Sequence, residues 1–200
     1  VDGLVPDFND QFNQTIVFCI DILSKDKSDE RYIPELRIEA CGFIQDTISV
    51  HEEFFDDEGT KAARIPILLE NLSNSYQVDN TKLFSMLHQL LFKIVEQYYP
   101  QSPSFMEQIS SYIEKGFEFF PQNIEIVNHS ISFWRNVAKL EESIITKCDI
   151  DERLCRTYTV ERLEETLSEK YCEKLLPILF KFMEEIDEND TDVEDIKLKA

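Results

Sequence analysis

Apolar residues recur at helical intervals through almost the whole chain, and strand-like alternation is never sustained. One stripe is Phe12, Ile16, Cys19/Ile20 and Leu23. A second is Ile65, Leu68/Leu69, Leu72 and Tyr76, and a third is Phe105, Ile109, Tyr112/Ile113, Phe117 and Phe120. A fourth is Leu175, Ile178/Leu179, Phe182 and Ile186. Between these A helices lie B helices with their own stripes. The first B helix opens at Pro34 and carries Leu36, Ala40, Phe43/Ile44 and Ile48; proline suits a first-turn position, where no N–H is needed. The next follows Asp79-Asn80-Thr81, a run of good N-cap residues, and Pro100 ends it. The third follows Pro121-Gln122-Asn123 and carries Ile126/Val127, Ser130/Ile131, Trp134 and Val137. The expected hairpins cover about 8–55, 60–99, 103–142 and 160–200.

Superimposing the B helices puts Leu36, Leu83 and Ile126 at one position, in steps of 47 and 43 residues. Ile44, Leu91 and Trp134 then coincide eight residues further on. A helical hairpin repeating every 40–47 residues has the length of HEAT and armadillo units. One hairpin cannot bury its own apolar face, so neighbours must stack. The expected architecture is therefore all-α: a right-handed α-solenoid of about four HEAT-type hairpins, forming one segment over residues 1–200. A closed bundle of the same hairpins is the alternative.

The fourth unit differs from the others. A polar stretch from Thr146 to about Thr159 precedes it, and Val160, Leu163, Leu167 and Tyr171 lead a stripe into its A helix, which Pro177 is expected to kink. From Glu184 to Asp195, eight of twelve residues are acidic and none is Lys or Arg. Like charges one turn apart repel, so this block reads as a solvated loop.

Forty acidic residues against 20 basic ones give a formal charge of −20. No basic face for nucleic-acid phosphates is expected from such a balance. The 12% of aromatic residues argues against an acidic disordered tail, and only 4 glycines argue against phosphate-cradling loops. No apolar run reaches the length of a bilayer span, and Val1-Asp2-Gly3-Leu4 opens no secretory leader, so no membrane insertion is expected. Cys19, Cys41, Cys148, Cys155 and Cys172 are irregularly spaced and read as free thiols, mostly small buried side chains. His51, His88 and His129 stand apart without partners at ligand or triad spacing. Asp187-x-Asn189-x-Thr191 lacks the glycine and the glutamate of a calcium loop. No catalytic constellation, cofactor or metal site is expected, so the chain is read as non-enzymatic. What remains is surface. A stacked array offers a long concave wall, and acids along it would attract basic chains in a salt-sensitive way.

Several pieces, in order, carry a family resemblance. Phe55-Asp56-Asp57-Glu58-Gly59 lies between the first two hairpins, and Lys93-Ile94 and Tyr98-Tyr99 precede the third. The third opens at Ser104-Phe105-Met106-Glu107-Gln108, and its B helix carries Phe133-Trp134-x-x-Val137 followed by Glu141 and Glu142. Leu176-Pro177-Ile178-Leu179 then leads to Asp187-Glu188-Asn189-Asp190. Over about residues 12–195 the chain resembles the importin-β (karyopherin-β) family of nuclear transport receptors. The resemblance implies an internal HEAT-repeat piece of a receptor that shuttles between cytoplasm and nucleus. It also implies protein partners: Ran-GTP, importin-α or basic cargo segments, and Phe-Gly (FG) nucleoporins. Asp187, Glu188, Asp190, Asp192, Glu194 and Asp195 would form the Ran-binding acidic loop. Trp134, Glu141 and Glu142 would lie on the cargo-facing side, with Trp134 favouring the core. The groove between the first two A helices would take Phe-Gly side chains; Ala63-Arg64-Ile65-Pro66 stands there in place of the family's apolar residues. Other HEAT scaffolds, such as phosphatase regulatory subunits and exportin-like karyopherins, share the hairpin pattern.

Overall fold

Unbroken stripes of helical period, with few glycines to interrupt them, favour satisfying the backbone within helices. In the computed structural model, which describes residues 5–50, 61–72, 75, 80–99, 105–150 and 166–185, every regular element is helical. The elements are α1 (Val5–Ser24), α2 (Pro34–Val50), α3 (Lys61–Leu72), α4 (Thr81–Gln97), α5 (Met106–Phe117), α6 (Ile124–Ile150) and α7 (Leu167–Glu185). The all-α class is as expected. The chain divides into two compact units, Val1–Lys93 and Ile94–Ala200, with the division inside α4.

In the first unit, α1 packs against both α2 and α3. The core is aliphatic: Leu23, Ile44, Ile48, Leu68, Leu69, Leu72, Leu83 and Leu87 have no exposed surface. Each such side chain contributes about 1.5–3 kcal/mol through burial. Pro34 does open α2. Asn80 is the cap of α4, its Oδ1 accepting the Leu83 N–H at 2.9 Å. Two short turns connect α1 to α2, in which Asp26 accepts the Ser28 N–H and Asp29 the Arg31 N–H, each at 2.8 Å.

Of the expected α2 stripe, Ala40, Ile44 and Ile48 are buried, and the stripe also takes in Arg37 and Cys41. Arg37, Cys41, Ile44 and Ile48 are fully buried, whereas Leu36 and Phe43 are only half-buried. A stripe read from apolar residues alone skips Arg37. Its guanidinium donates to the Leu23 carbonyl at 2.7 Å and also to the Lys25 carbonyl and Ser75 Oγ. Ser75 Oγ itself donates to the Leu23 carbonyl at 2.9 Å. These carbonyls are those left open at the end of α1, where the helix dipole favours a cation. The Tyr32 ring lies 4.6 Å from the guanidinium carbon and adds a cation–π contact. Burial nonetheless pulls the Arg37 pKa below its ordinary value.

Cys19 and Cys41 are buried free thiols. Burial raises both pKa values, that of Cys41 to about 12 against the opposing pull of Arg37. Thiolate is the reactive form, so both are shielded twice, by access and by protonation. In iodoacetamide at neutral pH, peptides containing Cys19 and Cys41 should stay unmodified until denaturant is added. Modification of Cys41 at the rate of a denatured thiol would contradict this core.

In the second unit, α5 packs on α6 and α7 packs on α6. Gly116 permits the first contact: a Cβ there would stand 1.9 Å from Ser130 Oγ and 3.2 Å from Ser130 Cβ. The α5–α6 connection contains a cis Phe120–Pro121 bond. Asn123 caps α6, its Oδ1 accepting the Ile126 N–H at 3.2 Å. The expected third hairpin stopped at 142, but α6 runs to Ile150. Ile144, 6% exposed, extends the buried stripe past the acids. Helix α7 continues through Pro177, which cannot donate to the Glu173 carbonyl. It reaches Glu185, so the first two residues of the expected loop are helical. Two carboxylates in a last turn cost only about 0.3–1 kcal/mol each. The remaining acidic positions, Asp187, Glu188, Asp190, Asp192, Glu194 and Asp195, lie outside the described residues. So does the Val160–Leu163 part of the stripe leading into α7.

Candidate partner-binding groove

The buried side of α6 presents Val127, Ser130, Trp134, Val137, Glu141 and Ile144 at helical spacing. One of these is a carboxylate. Glu141 is 1% exposed and lies where α7 begins. Its Oε1 accepts the Leu167 N–H at 2.5 Å, and its Oε2 accepts the Ser168 N–H at 3.1 Å. The Ser168 hydroxyl also donates to Oε2, and the Tyr99 hydroxyl donates to Oε1 at 2.8 Å. The first turn of α7 is thus capped from another helix, with an anion at its positive end. Burial first, and then the bond to Glu141, push the Tyr99 pKa above the ordinary tyrosine value. Thr166 stands at the N-cap position of α7, and its carbonyl accepts the Lys170 N–H at 3.1 Å.

Capping at Glu141 seats α7 against α6, and aromatic contacts continue the seam. Trp134 stacks on Tyr171 with ring centroids 5.1 Å apart, and Phe133 meets Trp134 edge-on at 5.4 Å. Alongside this seam runs an open cavity of about 380 Å³. Its apolar wall is made by Phe117, Ile131, Trp134, Leu175, Leu176 and Leu179. Arg135, Lys139 and Glu142 stand at its rim and are exposed. Leu176, at 43% exposure, is uncovered. Trp134 is 6% exposed, and its indole N–H has no partner among the described residues.

The three expected cargo-facing residues therefore have three different situations. Trp134 is core, with one face on the cavity. Glu142 is at the rim. Glu141 is turned inward and engaged with α7, because consecutive helical positions point about 100° apart. The signal for Glu141 was present: it continues the stripe of Val127, Trp134 and Val137. Arg135 and Lys139 put two cations beside one acid on a face expected to be electronegative. Among the described residues neither cation makes an ion pair.

Of the histidines, His88 is buried with Nδ1 2.8 Å from the Phe84 carbonyl, His129 is half-buried, and His51 lies outside the described residues. Among the described residues no three His, Cys, Asp or Glu side chains gather as metal ligands, and no helix is long and apolar enough to cross a membrane. No protein-family model, curated protein or solved structure matches the chain.

Proposed function

We propose that this chain is a stack of HEAT-type hairpins from an importin-β-like nuclear transport receptor, a right-handed solenoid segment acting by binding and not by catalysis. Its partners are Ran-GTP, importin-α or basic cargo segments, and Phe-Gly nucleoporins, and its compartments are cytoplasm and nucleus. The packing of α1 carries the reading. An A helix that contacts both its own B helix and the next A helix is the repeating contact of a stacked hairpin array. On these two A helices Val17, Phe18 and Ile67 remain 67%, 54% and 48% exposed. Bulky apolar side chains left uncovered there suit capture of Phe-Gly segments.

Binding is by charge complementarity. Acids of the 187–195 block meet basic surface on Ran, and Ran and basic cargo compete for the receptor through states of different curvature. The test is retention on the immobilised chain. Ran loaded with a non-hydrolysable GTP analogue should be held and Ran-GDP should not. Replacing residues 187–195 by Ser and Gly should weaken retention and flatten its salt dependence. Equal retention of the two nucleotide states would sink the receptor reading.

A further inference from the structure

The groove beside the α6–α7 seam points to a partner that the acidic character of the chain does not suggest. Its wall is apolar and partly uncovered at Leu176, with Leu175 and Leu179 on the same helix. The charged groups of α6 in the lining are Arg135, Lys139 and Glu142, all exposed, and the two cations have no ion pair among the described residues. The cations are four residues apart, so they stand on one helix face one turn apart. A volume of about 380 Å³ lies within the range of ligand clefts and accepts a few anchor side chains. A trough between two helices is filled well by a third helix, whose ridges enter the groove.

We infer that this groove docks an amphipathic helix of a partner protein, with leucine-like anchors on one face and acidic residues one turn apart along its edge. The anchors cover Leu176 and fill the space beside Trp134, and the partner's carboxylates meet Arg135 and Lys139. Glu142, in the same lining, repels the partner's carboxylates, but it is one anion against two cations. The chain's charge of −20 does not prevent this. At about 0.15 M salt the screening length is about 8 Å, so contacts within the groove outweigh the distant field. The inference does not depend on Ran or on a nuclear role.

The chain's single tryptophan lies in the groove wall and reports on occupancy. The probe is a synthetic helical peptide of about 18 residues, with Leu at i, i+3, i+4 and i+7 and Glu along both edges. Control peptides replace every Glu by Lys, or every Leu by Ala. Titrations on the intact chain follow Trp134 emission and calorimetric heat at about 0.15 M salt. The Glu peptide should shift the emission and bind at least tenfold tighter than the Lys peptide. The Ala peptide should not bind. Arg135→Glu with Lys139→Glu should reverse the charge preference, and Leu176→Asp should abolish binding of both peptides. All three substitutions are at exposed positions, and circular dichroism verifies that helix content is retained. Equal affinity for the Glu and Lys peptides overturns the inference, as does binding that leaves Trp134 emission unchanged. Failure of the Glu peptide to bind overturns it. If dodecanoate alone moves the emission, the groove belongs to a small amphiphile and the inference fails. If dilution of the free chain moves it, the groove belongs to a second copy, and the inference fails equally.

Discussion

Arg37→Ala is expected to lower the stability of the first unit by about 3–5 kcal/mol, among the largest effects of any single substitution in it. Arg37 is fully buried, yet no carboxylate faces it among the described residues; its partners are carbonyls at the end of α1 and a serine hydroxyl. Truncation removes the cation, opens a cavity, and leaves the Lys25 carbonyl without this donor. The Leu23 carbonyl keeps its bond from Ser75. Arg37→Met fills most of the volume and sheds the desolvation cost of a buried charge, so it should lose less, about 1–3 kcal/mol. Arg37→Lys should resemble the alanine variant more than the wild type, since an ammonium cannot spread its donors over three acceptors as the guanidinium fork does. Urea denaturation followed by alkylation of the Cys19 and Cys41 peptides reads this unit selectively. A loss below about 1 kcal/mol for Arg37→Ala would mean that the α1 carbonyls find other donors.

Glu141→Ala is expected to detach the start of α7 and cost about 3–4 kcal/mol in the second unit. Four donors lose their acceptor: the N–H groups of Leu167 and Ser168 and the hydroxyls of Tyr99 and Ser168. Hydrogen bonds to a charged group are worth about 1.5–3 kcal/mol each, and loss of a helix cap about 1 kcal/mol, but such losses do not add. Glu141→Gln keeps one carbonyl acceptor and presents an amide NH₂ to donors, so about half the cost should remain. Tryptophan emission is the direct measure, because the Trp134–Tyr171 stack spans the same seam. An unchanged denaturation midpoint in Glu141→Ala would show that α7 is held by its apolar face alone. Glu142→Ala, one residue away and exposed, should move stability by no more than about 0.5 kcal/mol.

Both residues show how far the sequence can be read. Helix positions, the α2 start at Pro34 and an N-cap within Asp79-Asn80-Thr81 are legible from periodicity and local chemistry, because short-range interactions decide them. Arg37 and Glu141 also obey the period, but a stripe drawn through apolar residues passes over them. Charged residues on a core-facing stripe are legible if the period is trusted over the residue type. Their partners are not, because Ser75 and Leu167 lie 38 and 26 residues away and only packing brings them close. The extension of α6 to Ile150 is hard to read for a related reason: the residues after Thr146 are polar, and the anchor that carries the helix past Glu142 is the single buried Ile144. The cationic rim was hidden by the total charge, which says nothing about the sign of one face.

The glycine at 116 makes the α5–α6 hairpin specific to its own place. Ser130 occupies the space that any larger residue at 116 would claim, whereas a Cβ at Gly42 would meet Met86 at an ordinary 3.7 Å. Alanine at position 116 would gain about 1 kcal/mol of helix propensity but would require the Ser130 side chain to give way. Residues 116 and 130 are therefore a matched couple, and any redesign of this hairpin must carry both together.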